Sequence, residues 1–182
     1  MEIKNCPVCN NSNFSNHIES KDFSVSKESF IIVSCDECDF HFTNPRPSNE
    51  NLGKYYISDH YISHNNTSRT FFEKVYQLVR KFATNRKFNL ISSFFSSGRI
   101  LDVGCGTGDF LNKCKSKNWE TKGIEPSKIA RDQAINNYNL DVEESTDLSQ
   151  LEGQFDIITM WHVLEHVPNL NETLVQFKQL LS

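Results

Sequence analysis

The sequence predicts an α/β fold: a Rossmann-like parallel sheet behind a small N-terminal cysteine-bearing module. Three observations point to it. Arg99-Ile-Leu-Asp-Val-Gly-Cys-Gly-Thr-Gly-Asp-Phe-Leu111 runs from a short apolar stretch into three alternate glycines and then into an apolar helical start. From there to Ser182, apolar runs of strand length alternate with segments of helical periodicity, the pattern of parallel strands joined by crossover helices. Ahead of both stand two paired motifs, Cys6-Pro-Val-Cys9 and Cys35-Asp-Glu-Cys38.

The two cysteine pairs define the first module, residues 1–47. Each CxxC turn offers two thiolates at the bite that tetrahedral zinc requires, and the short apolar alternation at Phe30-Ile-Ile-Val33 supplies a hairpin between them. The expectation is a zinc ribbon with structural zinc on Cys6, Cys9, Cys35 and Cys38, and His41 as the competitor for one ligand position. Thr43-Asn-Pro-Arg-Pro47 closes the module as a stiff connector, because each proline fixes its own φ and restricts the residue before it. Residues 48–97 are the second part. Tyr55-Tyr-Ile-Ser-Asp-His-Tyr-Ile-Ser-His64 reads either as a loop that closes over a ligand or as surface packing, and Asn65–Ser68 as a helix cap. One long helix or two shorter ones follow over 70–95, where the apolar residues recur at helical spacing.

Residues 98–182 form the third part. Strands are expected at 99–103, 119–124, 140–143 and 155–160. Helices are expected at 109–117, from Pro126-Ser127 to 137 with the serine as cap, and from Pro168 with Leu170, Leu174, Phe177 and Leu181 on one face. Cys114 reads as a small buried apolar residue in the first of these helices.

Composition narrows the function classes. With 182 residues, 37% of them hydrophobic, the chain has room for one domain with a core of its own and a small module. A net charge of −4 gives no general attraction to nucleic acid, and the one basic element, carrying Lys74, Arg80, Lys81, Arg86 and Lys87, reads as a solvated helix face. No apolar run reaches the length of a membrane span, and the start Met-Glu-Ile-Lys-Asn-Cys lacks a secretory signal, so the expected setting is cytoplasmic.

The glycine turn discriminates between ligands. A dinucleotide fingerprint seats a pyrophosphate on the helix N-terminus and ends in glycine where this chain has Asp109. A carboxylate there repels a pyrophosphate. Asp102 at the strand end and Glu125 at the next strand end add two acceptors, the second about twenty residues on, where a ribose-binding acid belongs. These features favour a cationic nucleoside without phosphate, such as S-adenosylmethionine.

Ile-Leu-Asp-Val-Gly-Cys-Gly-Thr-Gly, Gly-Ile-Glu-Pro-Ser and Phe-Asp-Ile-Ile-Thr-Met-Trp-His-Val-Leu-Glu-His-Val, in this order, resemble successive motifs of the class I S-adenosylmethionine-dependent methyltransferases. The resemblance covers roughly residues 70–182, and the cysteine-bearing start is similar to a zinc-binding extension on some bacterial members. It implies that Asp102, Gly104, Gly106 and Glu125 hold the cofactor, with Cys105, Gly108 and Pro126 in the same segments. The superfamily has a seven-stranded sheet, whereas four strands are legible here. The further expectation is therefore a shortened chain, or one whose Phe155–Met160 edge self-associates.

After the fourth strand stand His162, Glu165 and His166, which share one side if the turn is helical. Either histidine is a candidate general base held by Glu165. Some small-molecule O-methyltransferases of the superfamily resemble this stretch, carry a glutamate where His162 stands, and bind a divalent metal there. A metal site, or simple bracing of the turn, are the alternatives here. The expected activity is methyl transfer to a small-molecule acceptor such as a sugar, a quinone-like phenol or a biosynthetic intermediate. Two rival readings stand beside it: a cofactor-binding module whose ribbon recruits a protein without turnover, and an RNA methyltransferase.

Overall fold

The structure is a computed structural model that describes residues 1–23, 25–48, 51, 55, 71–144 and 148–182. The expected lid stretch beyond Tyr55 and the cap at 65–68 lie outside the described residues. The chain divides into two compact units, residues 1–67 with 168–171 and residues 68–167 with 172–182.

The first unit is built on an antiparallel sheet of β1 (Phe14–Lys21), β2 (Ser29–Cys35) and β3 (His41–Thr43), with β2 in the middle. Val33 and Cys35, two residues apart in β2, share one face and are buried, whereas Ser29 and Ile31, on that same face toward the start of the strand, are exposed. A register shift between Asn16 and Ile18 of β1 bends the hairpin. Asp22 holds the turn, its carboxylate accepting from the N–H groups of Val25 and Ser26. Phe14 meets Phe42 edge-on at 5.1 Å, which joins the outer strands over the central one.

The second unit is a four-stranded parallel sheet of order β6-β5-β4-β7, made of β4 (Arg99–Val103), β5 (Glu120–Ile124), β6 (Asp141–Glu143) and β7 (Ile157–Thr159). Its helices are α1 (Phe71–Ser92), α2 (Asp109–Lys115), α3 (Lys128–Tyr138) and α4 (Leu170–Leu180). The central strand explains the apolar run in the sequence. Ile100 belongs to a cluster with Phe110, Leu111, Trp119 and Ala134, while Leu101 belongs to another with Ile124, Leu151, Phe155 and Phe177. Both are fully buried, because helices cover both faces of a parallel sheet.

The helical segment at 71–92 is one helix. It sends Ile91 into the core and leaves Leu78, Val79 and Phe82 exposed. The helix after the glycine turn stops at Lys115, two residues short of the expected end, and left-handed Asn118 turns the chain into β5. The fourth strand is shorter than the expected 155–160. Its ladder with β4 covers 157–159, and Phe155 is bonded instead to the end of α4, donating to the Leu180 carbonyl at 2.7 Å. Helix α4 accordingly ends one residue before Leu181 and buries Phe177 and Leu180, whereas Leu174 and Leu181 of the expected face lie at the surface.

Among the described residues β7 has one strand neighbour, β4. A groove of about 510 Å³ runs along its other side, between Leu90 and Phe94 near the end of α1 and Phe177 and Lys178 of α4. No helix among the described residues is long and apolar enough to cross a membrane.

Candidate cofactor and metal sites

The two CxxC knuckles of the first unit are conformational copies. In one, Cys6 donates to Asn11 and accepts from Asn10; in the other, Cys35 donates to Phe40 and accepts from Asp39. Asn10 and Asp39 occupy the same left-handed position in each. The result brings the four sulfurs within 4.8 Å of one another, with Cys6 and Cys38 3.6 Å apart and Cys9 and Cys35 3.5 Å apart. Zinc–sulfur bonds of about 2.3 Å in a tetrahedron require sulfur separations near 3.8 Å, so the cage has the size for that ion. Burial pushes the Cys6 thiol up, but N–H groups of Cys9 and Val8 and the neighbouring thiols outweigh it and bring it down to about 7. The Phe40 N–H lowers Cys38, yet burial and the surrounding thiols push it up to about 12. Four such groups do not all ionise without a cation between them. His41 stands outside this cage, its ring tilted against that of His17 at 4.2 Å and 3.8 Å from Asp39.

In the second unit the turn after β4 puts Gly104, Gly106 and Gly108 all at positive φ, of 72°, 57° and 80°. Their surroundings differ. A Cβ on Gly104 would lie 2.4 Å from Val163 Cγ2, and one on Gly108 would meet Leu140 at 2.5 Å and Ala134 at 2.8 Å. On Gly106 it would meet nothing within 4 Å. Two of the glycines are therefore required by packing, while the middle one presents bare backbone to open space. The Cys105 thiol turns the other way, against Gly123, and burial pushes it well above its ordinary range. Its N–H and carbonyl are both engaged within the turn, to the Ile124 carbonyl and the Gly108 N–H.

Glu125, 6% exposed, ends β5 beneath this turn. One carboxylate oxygen accepts from the Gly106 N–H at 2.8 Å and the other from the Ser127 N–H at 2.8 Å. A carboxylate accepts at about four positions, so two remain for a ligand. Ser127 stands at the expected cap of α3, but its side chain makes no capping bond, and its own N–H donates to Glu125. Pro126 is exposed between them.

Asp102 is 2% exposed and accepts from the Thr159 hydroxyl at 2.6 Å. Burial pushes its carboxyl up to about 7, against the Thr159 hydrogen bond and the Lys87 charge, and Glu125 adds to the rise. Lys87 of α1 lies with its ammonium 4.9 Å from the Trp161 ring centre, and burial lowers it. Thr159 was findable in principle as a polar residue inside an apolar strand. Lys87 carried no sequence signal beyond the basic face.

Asp109 is tied into the fold. It accepts from Thr107 at 2.7 Å and Tyr138 at 2.9 Å and pairs with Arg80 of α1. The carboxylate that argues against a pyrophosphate thus staples α1, α2 and α3 together.

The expected one-sided arrangement of His162, Glu165 and His166 does not form as a helical turn. His162 has φ +61°, and only Leu164–His166 make a single 3₁₀ turn. His162 is 88% exposed at its side chain, with Nδ1 3.9 Å from the Glu165 carboxylate. Val163, seated against Gly104, anchors this segment beside the glycine turn.

A family model described as "Methyltransferase domain" matches residues 63–182. The ubiquinone biosynthesis O-methyltransferase of Erwinia tasmaniensis is 35% identical over 81 residues, 39% of this chain and 32% of that protein. Its counterpart in Aromatoleum aromaticum is 31% identical over 93 residues, 46% of this chain and 39% of that protein. The match thus spans about a third of the length of these curated relatives. Among solved structures, magnesium protoporphyrin IX methyltransferase from Synechocystis PCC 6803 with bound SAM superimposes with a TM-score of 0.56 at 16% identity, over 77% of this chain and 75% of that one. That likeness concerns the fold.

Proposed function

The chain belongs to the methyltransferase-domain family, and from that premise we propose that it transfers a methyl group from S-adenosylmethionine to a hydroxyl of a small-molecule acceptor. The observation that carries the reading is the middle of the turn: bare Gly106 backbone faces open space directly above a carboxylate with two acceptor positions left. Such a cradle suits a nucleoside without phosphate. Glu125 would accept from the two ribose hydroxyls, the backbone at Gly106 would let the ligand lie close, and Asp102 would face its ammonium. When bound, adenosylmethionine supplies a methyl group already activated on a sulfonium.

What remains for the chain is alignment and proton removal. His162 is exposed at the C-terminal side of β7, where ligands of open α/β sheets bind, with the Glu165 carboxylate 3.9 Å from its Nδ1. We assign it the general-base role, with Glu165 and His166 in support. The curated relatives, being O-methyltransferases by name, favour a hydroxyl acceptor. The RNA reading loses ground because two of the five cations on α1 are engaged within the unit, Arg80 with Asp109 and Lys87 over Trp161. The four cysteines of the first unit would hold structural zinc, in the reducing cytoplasm where thiols stay available.

The test is label transfer from methyl-labelled adenosylmethionine to a panel of phenols, sugars and other hydroxylated metabolites, read by mass spectrometry. A labelled methyl ether on one class is the expected result. Tight adenosylhomocysteine binding with no transfer to any acceptor would favour a binding module, and no binding at all would defeat the reading.

A further inference from the structure

Asp102 and Thr159 stand opposite each other in the β4–β7 ladder, each less than a tenth exposed. Thr159 has one proton to give, and the geometry decides where it goes: Asp102 Oδ1 is at 2.6 Å and the Leu101 carbonyl at 3.4 Å. The short contact favours an ionised acceptor. From α1 comes Lys87, half-buried with its ammonium 4.9 Å from the Trp161 ring centre and in no ion pair with any described carboxylate, and its charge favours the ionised form of Asp102. The remaining titratable groups facing Asp102 are Glu125 at the end of β5, which opposes its charge, and the thiols of Cys105 and Cys114, both pushed upward, first by burial and then by Asp102 itself. Among the described residues, then, one hydroxyl and one cation act against burial and a neighbouring acid.

We propose that Thr159 and Lys87 are positioning residues for Asp102, holding its carboxylate oriented and ionised so that it receives the ammonium at the amino-acid end of the ligand. This rests on the reading that the glycine turn binds adenosylmethionine. It adds that β7 and α1, which supply none of the cofactor contacts assigned above, set the charge of that contact. An ammonium docked on a carboxylic acid loses most of its attraction, so affinity should follow the ionised fraction of Asp102. Binding at neutral pH should also displace a proton from the part of the population that carries one.

The experiment is calorimetry of adenosylhomocysteine binding to the full chain between pH 5.5 and 8.5, repeated in buffers of different ionisation enthalpy to count protons released. The parent is expected to weaken as pH falls through neutrality and to release a fraction of a proton at pH 7. Thr159→Val removes the donor and keeps the shape, so its profile should move about one pH unit upward, which is about tenfold weaker binding at pH 6.5. Lys87→Met should move it the same way, and Thr159→Ser should restore the parent profile. Both proteins in each comparison carry the same histidines, so the difference belongs to Asp102. Methylthioadenosine, which lacks the ammonium, should bind all four proteins alike and release no proton. A parent that binds adenosylhomocysteine while Thr159→Val and Lys87→Met superimpose on it would overturn this inference alone. A parent that binds neither ligand would overturn the cofactor reading, and this one with it.

Discussion

Gly106→Ala and Gly108→Ala should fail in opposite ways, and the difference isolates ligand binding from folding. Both positions have positive φ, where a Cβ costs about 1–2 kcal/mol. At Gly106 that is the whole effect on the free protein, because the new methyl meets nothing within 4 Å and leaves the N–H to Glu125 in place. The expected loss of melting temperature in a domain of this size is roughly 5 °C per kcal/mol. At Gly108 the methyl also meets the Leu140 tip at 2.5 Å and Ala134 at 2.8 Å, with Ala134 Cα at 3.3 Å on the backbone of α3. Leu140 can turn aside, but a helix backbone cannot, so overpacking adds about 1–3 kcal/mol. Adenosylhomocysteine affinity should show the reverse order. The Gly106→Ala methyl stands where the ligand must approach, so binding should fall at least about tenfold, a change near 1.4 kcal/mol. Thermal melting and calorimetry on the two proteins settle it: a Gly106→Ala protein that binds as tightly as the parent would refute the assignment of the open face.

Three further outcomes follow from the same geometry. Protein purified without chelator should contain one zinc per chain, and chelation should unfold the first unit while the second keeps its melting transition; no metal by elemental analysis would defeat the zinc assignment. Glu125→Ala should weaken adenosylhomocysteine binding by an order of magnitude or more and, because it orphans the N–H groups of Gly106 and Ser127, destabilise the free protein by about 1–3 kcal/mol; unchanged affinity would remove the ribose role. His162→Ala should lower turnover about a hundredfold at saturating cofactor while leaving adenosylhomocysteine affinity near the parent value, and equal turnover would return His162 to a structural part.

The parts of this fold that were legible in the sequence are those written in short-range signals. The apolar run at 99–103 and the three glycines place β4 and its turn to the residue, and the two CxxC pairs bring together the cage they suggested. What escaped depends on partners distant in sequence. The burial of Leu180 in place of Leu181 follows from the bond between α4 and Phe155, which periodicity within the helix does not contain. The left-handed φ of His162 breaks the i, i+3, i+4 logic, and nothing about a histidine announces it. Asp109 looked available because its three partners, Thr107, Tyr138 and Arg80, come mostly from other helices. The sequence carries an expectation of a ligand contact at Asp102, but no sign that the Thr159 hydroxyl bonds it or that the Lys87 charge favours its ionised form.

Asp102 itself offers a test in the ligand-free protein. An unfolded aspartate titrates near 4, and burial raises the folded one to about 7. Between those values the folded protein keeps a proton that the unfolded chain has released. Stability contributed by this group therefore falls as pH rises through that window and is flat above it. The full span corresponds to about 4 kcal/mol at most. Asp102→Asn keeps an oxygen for Thr159 to bond and carries no charge to bury, so it should melt above the parent at pH 8 and level with it at pH 4. The same substitution should weaken adenosylhomocysteine binding, because the ammonium loses its counter-charge. A residue whose replacement stabilises the empty protein and impairs the loaded one is held for its ligand rather than for the fold. Equal melting of the two proteins at pH 8 would mean that Asp102 carries no buried charge there, and the electrostatic account of its site would fall.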